Sequence, residues 1–227
     1  IGQMECSREK TNEIPISEKL IDALKIKDTI ITADALLCQK DIVKKIAKYN
    51  GYILALKGNH PLMEQEVKDL FLSPATAART VYTTLDKGHG RIERRIYTLD
   101  TQIGWFEQQK EWKNLAAFGM VESIVTRKGK ETREKRYFIT SVTDVKCFAD
   151  GVRSHWAIEN NLHWCLDVLF SDDACTVLDR NAAENLAIIR RILYNRIKML
   201  SKLETLSMGK RACMYDDEFR AKILFSC

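Results

Sequence analysis

The chain of 227 residues lacks long apolar runs and paired cysteines. No stretch approaches the roughly 18 to 20 consecutive apolar residues of a membrane-spanning helix, and no signal-peptide pattern opens the chain. Its seven cysteines are odd in number, are scattered through aliphatic surroundings and form no Cys-x-x-Cys pair. This usage is typical of a reducing compartment. We therefore expect a soluble cytoplasmic protein that makes no contact with a membrane.

The sequence also lacks a strong charge of either sign, internal repeats and low-complexity tracts. Lys and Arg total 36 against 31 Asp and Glu, which leaves a net charge of +5. Such a charge permits a polyanionic partner but does not require one. With 45% hydrophobic residues, the composition is that of an ordinary globular protein with one large domain or two small ones.

Helix, strand, helix, strand and helix patterns follow one another in the first third of the chain. The run "TIITADA" is short, β-branched and of the buried type, it ends on Asp34, and "YILALKGN" is a second such run. This order favours a parallel α/β arrangement. Two hairpins with the turns "DKGHGR" and "RKGKE" then predict antiparallel strands, and helical periodicity returns after them.

Asp34 is the first candidate for chemistry. Open α/β sheets place ligands and catalytic groups at the C-terminal ends of their parallel strands, where this aspartate is predicted to lie. A capping aspartate for the next helix would occupy the same position. Position alone leaves both interpretations open.

Glu159 is the second candidate, in the stretch "RSHWAIENNLHWCLDV". Apolar residues such as Ile158 and Trp164 flank it, so we expect a carboxylate on a largely buried helix, which needs a partner. A magnesium ion shared with Asp34 would supply one. A salt bridge to Arg153 or Lys57 is the alternative.

Two histidines near Glu159 raise a further possibility. His155 and His163 flank the glutamate at four-residue spacing, which is also metal-ligand spacing. Zinc sites usually need further ligands elsewhere, and such ladders are common as plain surface networks. The spacing therefore favours zinc only weakly.

Basic side chains cluster around the tip of the first hairpin, in "DKGHGRIERR". They could contact phosphates, or they could be a solvated turn with protective edge charges. The same two interpretations apply to "TRKGKETREKR" in the second hairpin. The residues of the first cluster are Lys87, His89, Arg91, Arg94 and Arg95.

Several long motifs, in this order, resemble the H-repeat-associated transposases of bacterial insertion sequences. The resemblance implies a DDE transposase on a ribonuclease H-like α/β fold, with an antiparallel β insertion between the second and third catalytic acids. It extends across nearly the whole chain. The motifs are "IITADALLCQKDIVKKI", "GYILALKGNHPLMEQEV", "DKGHGRIERRIY", "RYFITS", "VRSHWAIENNLHWCLDVLFSDDAC" and "RNAAENLAIIRR".

The resemblance also implies roles for residues. Asp34 becomes the second catalytic acid and Glu159 the third, both ligands of Mg²⁺ or Mn²⁺ in an endonuclease and strand-transfer reaction on double-stranded DNA, at the element ends and the target. In related transposases with a Tyr-x-x-Arg-x-x-x-Glu-x-x-x-x-x-x-Lys signature, the arginine position falls on His155, the tyrosine on Val152 and the lysine on Leu166. The expected phosphate or DNA contacts are Arg153, His155, Lys57, Lys87, His89, Arg91 and Arg94.

The first catalytic aspartate of the family lies in an Asp-Gly-Lys segment that has no match here. The opening "IGQMECSREKTNEIP" resembles the middle of a protein, with residues 1–4 as the tail of a strand. We therefore expect an N-terminally truncated transposase that is inactive alone. Its predicted parts are a partial core over residues 1–72, the β insertion over residues 73–143 and a helical part over residues 144–227.

The sequence is compatible with two other classes of function. The chain could be a non-catalytic DNA-binding remnant of a transposase, or an α/β interaction domain that contacts neither metal nor nucleic acid. The resemblance further implies a bacterial cytoplasmic protein that joins the nucleoid when it binds DNA, and it is compatible with a homo-oligomer.

Overall fold

The computed structural model describes residues 13–74, 77–88 and 90–225. The predicted strand tail at residues 1–4 lies outside this part. The chain forms two compact units, which divide between His155 and Trp156. The mixed α/β class predicted from the sequence is confirmed, whereas the boundaries predicted at residues 72 and 143 stay predictions.

Helices and strands alternate in the first unit as far as Leu72, four consecutive strands follow, and helices make up the second unit. The described residues form six strands, which are β1 (Ile30–Ala33), β2 (Gly51–Leu56), β3 (Arg79–Gly88), β4 (Arg91–Asp100), β5 (Ala117–Arg127) and β6 (Lys130–Thr140). The α-helices are α1 (Glu13–Leu24), α2 (Lys40–Ile46), α3 (Pro61–Leu72), α4 (Val145–Ile158), α5 (Trp164–Phe170), α6 (Arg180–Leu200), α7 (Leu206–Tyr215) and α8 (Asp217–Phe225).

All six strands belong to one sheet, in the order β1-β2-β6-β5-β4-β3. β1 and β2 are parallel, with Ala33 opposite Leu54. β6 joins the two hairpins to this pair, because it runs antiparallel to β2 with Ile139 opposite Leu54. Within the described part of the chain, the two strands at the sheet edges are therefore β1 and β3, and the hairpin strands β4, β5 and β6 lie inside the sheet.

The main hydrophobic core of the first unit covers one face of the sheet. Alternate residues of β2 point to this face, as a strand with a period of two requires. Helices α2 and α3 cover them, and the segment between β4 and β5 closes the core. Its fully buried members include Ile42, Val43, Tyr52, Leu54, Val67, Phe118 and Ile139.

Helix α4 packs on the opposite face of the sheet. Phe148 is fully buried there, with its ring centroid 5.5 Å from that of Phe138 and 6.4 Å from that of Tyr97. A Cβ atom at Gly119 of β5 would lie 2.5 Å from Phe148 Cζ, so only glycine lets the ring approach this strand. The glycine and the phenylalanine together bring α4 close to the sheet.

The sequence predicted β1 to be a buried strand, and this is wrong. No residue of β1 is fully buried, and Ile30 is 38% exposed. The physical reason is that, among the described strands, β1 lies at the edge of the sheet and pairs with β2 alone. Its β-branched composition reflects strand propensity rather than burial on both faces.

The second unit is helical. The Asp179 carboxylate accepts a hydrogen bond from Ala182 N over 2.8 Å and thereby caps the start of α6. Near its other end, Tyr194 and Ile197 are buried, and the Tyr194 hydroxyl donates to Asn161 O over 3.3 Å. Within the described residues, no helix has both the length and the apolar character that a membrane crossing needs.

Candidate functional site

Asp34 directly follows β1 at its C-terminal end. Its backbone is extended, and it precedes a single 3-10 turn over Ala35–Leu37. It thus occupies the capping position that the sequence left open, but its side chain makes no capping hydrogen bond. The carboxylate is 74% exposed. Asp34 therefore presents a charged group to solvent instead of stabilising the turn.

His155 of α4 lies beside Asp34. Its Nε2 is 3.4 Å from Asp34 Oδ1, and its Nδ1 is 3.1 Å from the Thr32 hydroxyl oxygen. Thr32 and Asp34 are two residues apart and so point to the same side of the chain. When the Thr32 hydroxyl donates to Nδ1, the ring proton is on Nε2 and faces the carboxylate. The first unit therefore contains a Thr32-His155-Asp34 chain of polar contacts.

The loop after β2 holds the turn that follows Asp34. Asn59 Nδ2 donates to Ala35 O over 2.6 Å and to Cys38 O over 3.3 Å, and Lys57 N donates to Asn59 Oδ1 over 3.3 Å. The His60 imidazole bonds Cys38 O over 2.7 Å. These contacts fix the backbone that carries Asp34, although no local sequence signal marked Asn59.

Lys57 and Cys38 lie near the C-terminal ends of the parallel strands and differ in exposure. Lys57 follows β2 and is exposed. Because β1 and β2 are parallel neighbours, Lys57 and Asp34 follow the C-terminal ends of adjacent strands. Cys38 is fully buried, and this burial raises the pKa of its thiol to about 12. The thiol is therefore protonated at neutral pH and is no nucleophile.

Arg153 bonds an acidic side chain of β3. Its Nη1 donates to Asp86 Oδ2 over 2.7 Å, and Arg95 Nη1 donates to the same oxygen over 2.8 Å. The hydrogen bond from Arg153 holds the pKa of Asp86 below its usual value. Arg153 therefore ties α4 to the β3–β4 hairpin within the first unit.

Glu159 is the first residue of a π-helical turn, Glu159–His163, that follows α4. Its side chain lies outside the described part of the structure. The sequence predicted a largely buried helix around Glu159, and this is wrong. Ile158 and Trp164, on either side of the π-turn, are 51% and 54% exposed. Such π-turns often occur at functional positions of helices.

Two of the three signature positions around Glu159 carry aliphatic side chains that are packed inside the protein. Val152, at the tyrosine position, and Leu166, at the lysine position, are both buried. Neither can contact a phosphate. Among the described residues, no group of three or more His, Cys, Asp or Glu side chains could hold a metal ion.

The cluster predicted at the first hairpin is distributed over both faces of the sheet. Lys87, Arg91 and Arg94 are exposed, whereas His89 lies outside the described residues. In the strand register, Lys87 and Arg94 share one face and Arg91 points to the other. Arg95 is half-buried and binds Asp86 and Glu93. The exposed cations of this hairpin therefore do not form one compact site.

A family model described as "Transposase DDE domain" matches residues 1–196 of the chain. The chain belongs to the DDE transposase domain family. The predicted family is thus confirmed.

Curated relatives carry related names. "Putative protein YbfL" and "H repeat-associated putative transposase YhhI", both of Escherichia coli K12, are each 36% identical over 204 residues, which is 86% of this chain and 54% of each relative. "Putative transposase YncI" of Escherichia coli O157:H7 is 34% identical over 208 residues, 87% of this chain and 53% of the relative. This transposase domain therefore spans about half the length of the curated relatives it matches. No solved structure matches.

The donor chemistry of Asp34 fits one ligand of a divalent cation in this DDE transposase domain. Mg²⁺ prefers carboxylate and phosphate oxygens and binds through one or two carboxylates. An exposed carboxylate without a capping hydrogen bond can face such an ion, whereas the buried Cys38 thiol cannot. Asp34 therefore fits a hard cation as one ligand, and a second carboxylate has to come from elsewhere.

Replacing Thr32 with valine tests the polar chain of this transposase domain. Valine keeps the shape of the side chain but removes the hydroxyl that contacts His155 Nδ1. We expect ¹⁵N NMR of the imidazole to show one tautomer, protonated at Nε2, in the parent and a mixture of tautomers in Thr32→Val. Thr29→Val, which removes a hydroxyl bonded to Asn50 Oδ1, is the matched control. An unchanged tautomer in Thr32→Val would contradict the proposed hydrogen-bond direction.

Proposed function

We propose that the protein containing this chain is an insertion-sequence transposase, in which Asp34 and Glu159 are two of the carboxylates that hold Mg²⁺ or Mn²⁺ for DNA cleavage and strand transfer. The observation that carries the proposal is the exposed Asp34 carboxylate after a parallel strand, next to His155, in a chain of the DDE transposase family. The glutamate is proposed from the resemblance of "HWAIEN" to the family motif.

The side chains of this domain would have separate tasks in that reaction. A divalent ion held by Asp34 and Glu159 would supply activation of the attacking oxygen and stabilisation of the leaving oxygen. His155, when it donates from Nε2, orients the Asp34 carboxylate. Lys57, which like Asp34 follows the C-terminal end of its strand, would bind a DNA phosphate. Arg153 would act through Asp86, its partner in this structure, or would exchange that partner for a phosphate.

The proposed DNA surface is wider than the metal site. Phosphate contacts position a duplex without reading its sequence, and both cations and neutral hydrogen-bond donors can make them. We therefore propose contacts to element ends and target DNA from Arg153, His155, Lys57, Lys87, His89, Arg91 and Arg94.

Two broader parts of the proposal come from the family. The sheet and α4 would belong to a ribonuclease H-like core, in which residues 73–143 form the insertion between the parts at residues 1–72 and 144–227. Action as a homo-oligomer at the bacterial nucleoid is part of the same proposal.

Manganese binding tests the two carboxylates directly. Loss of the free Mn²⁺ signal in electron paramagnetic resonance measures binding, and we expect Asp34→Asn and Glu159→Gln each to weaken it at least tenfold, because each removes a charged oxygen ligand. Asp41→Asn, which removes an exposed carboxylate of α2, is the control. In the longer protein that contains this chain, cleavage of duplex DNA in Mn²⁺ should fall in the same two variants. Unchanged Mn²⁺ affinity in both would contradict the assignment.

A non-catalytic DNA-binding role is the second candidate, because the exposed hairpin cations do not depend on the carboxylates. It predicts duplex binding that weakens with salt and is indifferent to Mg²⁺ and to Asp34→Asn.

A further inference from the structure

Three basic residues form a row across three neighbouring strands at the hairpin tips. Arg91 of β4 lies opposite Arg127 of β5, and Arg127 lies opposite Lys130 of β6. Residues that face each other across a ladder point to the same side of a sheet. Adjacent strands are about 4.8 Å apart, so the backbones of the three residues span about 10 Å. The two basic motifs of the sequence therefore meet in a single row, which we call the cation row.

The β5–β6 turn fixes the position of the row. Lys128 and Gly129 connect the strands with φ values of 50° and 75°, a two-residue turn in which both residues are left-handed. This turn geometry matches the twist of the flanking strands and sets Arg127 directly opposite Lys130. Lys128 adds a fourth exposed cation at the end of the row.

Stability does not explain the cation row. All three side chains are exposed, and like charges directly opposite each other destabilise a sheet. Charges that protect an exposed sheet edge do not explain it either, because in the described sheet β4, β5 and β6 are interior strands and the edges are β1 and β3. The arrangement therefore favours a partner that neutralises the charges.

One nearby acid pairs with one member of the row. Glu93 and Asp86 lie on the same face as the row, and Glu93 is two residues from Arg91 along β4. Arg91 Nη2 forms an ion pair with Glu93 Oε2 at 3.6 Å, and Arg95 binds the same carboxylate. Asp86 is bound by Arg95 and Arg153. Arg91 therefore shares its acidic partner with a second arginine.

The other two members of the row are not neutralised within the sheet. Among the residues that the structure describes, neither Arg127 nor Lys130 has an acidic partner, and the residues next to them on that face are Val125 and Thr132.

We propose that Arg91, Arg127 and Lys130 bind the sugar-phosphate backbone of duplex DNA as one row, separate from the metal-holding carboxylates. Over the span of about 10 Å, a duplex presents about six phosphate charges, since it carries one per roughly 1.7 Å of axis. The proposal assigns the row to phosphate contacts, which position a duplex without reading its sequence, and leaves sequence recognition to other residues. This inference rests on the proposed function, because DNA is chosen as the polyanionic partner on the ground that the protein acts as a transposase.

The salt dependence of duplex binding by this chain tests the row. Each lost phosphate contact lowers the slope of log Kobs against log salt by about 0.9. We expect Arg127→Gln and Lys130→Gln each to lower the slope by about that amount, and the double variant by about twice as much, on element-end and random duplexes alike. Arg133→Gln is the matched control, since it removes the same charge from β6 on the opposite face, where Glu131 binds Arg133 over 2.8 Å.

Three results would contradict DNA binding by the cation row. The first is an unchanged slope in the double variant, and the second is a fall in slope in Arg133→Gln as large as that in Arg127→Gln or Lys130→Gln. The third is competition by polyglutamate that is as effective as competition by DNA of equal charge. The proposed function fails differently, through unchanged Mn²⁺ binding in Asp34→Asn and Glu159→Gln. A lowered slope together with that result would support the row and reject the catalytic carboxylates.

Discussion

Replacing Phe148 with alanine is expected to lower the free energy of unfolding by about 3–5 kcal/mol, the usual cost of truncating a buried aromatic ring. The ring is fully buried between α4 and the sheet and contacts Tyr97 and Phe138. Urea unfolding followed by circular dichroism measures the change. Leu62→Ala, which truncates a side chain that is 79% exposed on α3, should change stability by less than about 0.5 kcal/mol.

A double-mutant cycle with Gly119 identifies the cause of the loss. Gly119→Ala alone places a methyl group 2.5 Å from Phe148 Cζ and should cost about 1–3 kcal/mol through overpacking. In the Phe148→Ala background the clashing ring is absent, so the same substitution should cost almost nothing. Additive effects of the two substitutions would show that the ring and the glycine are not in direct contact.

The consequence for function follows from the position of α4. Phe148 anchors the first turns of this helix, and Arg153 and His155 occupy its later turns. His155 contacts Asp34 only because the helix lies against the sheet near Thr32, where Gly151 permits a close approach to Ile53. The Phe148→Ala variant should therefore also lose the single imidazole tautomer expected for the parent.

The elements of the fold could be predicted because their signals are local. Periodicity located α3 at Pro61, and alternation with glycine turns located both hairpins. The pairing of β6 with β2 could not be predicted, because it joins strands that are about 85 residues apart and no turn connects them. The continuity of both hairpins with β1 and β2 in one sheet was therefore not part of the sequence prediction.

In the candidate site, too, the features with local signals could be predicted from the sequence and the long-range contacts could not. Asp34 followed from the strand-end rule, which needs only a strand and the residue after it. The contact between Thr32 and His155 joins residues 123 positions apart, and that between Arg153 and Asp86 joins residues 67 apart. The cation row depends on the register between β4 and β5. Such contacts depend on tertiary packing, for which a single sequence carries no periodic signal.

Replacing Asp100 with alanine should be the other strongly destabilising change. Asp100 ends β4 with a fully buried carboxylate, and Arg79 Nε at the start of β3 donates to it over 3.1 Å. Removing one partner of a buried ion pair leaves the other charge uncompensated, which costs about 3–5 kcal/mol. Glu131→Ala breaks the exposed pair with Arg133 and should cost less than about 1 kcal/mol. Equal losses in the two variants would contradict the difference in burial.

Removing both charges at once distinguishes the ion pair from the other bonds of Arg79. Replacing both members of a buried pair with apolar residues is often neutral, so Arg79→Met with Asp100→Leu should recover part of the loss. Full recovery is not expected, because Arg79 also donates to Leu70 O over 2.8 Å and to Ser73 O over 3.0 Å at the end of α3.

Hydrogen exchange in β3 and β4 should be faster in Asp100→Ala than in the double variant, since the pair joins the base of the hairpin that carries Arg91.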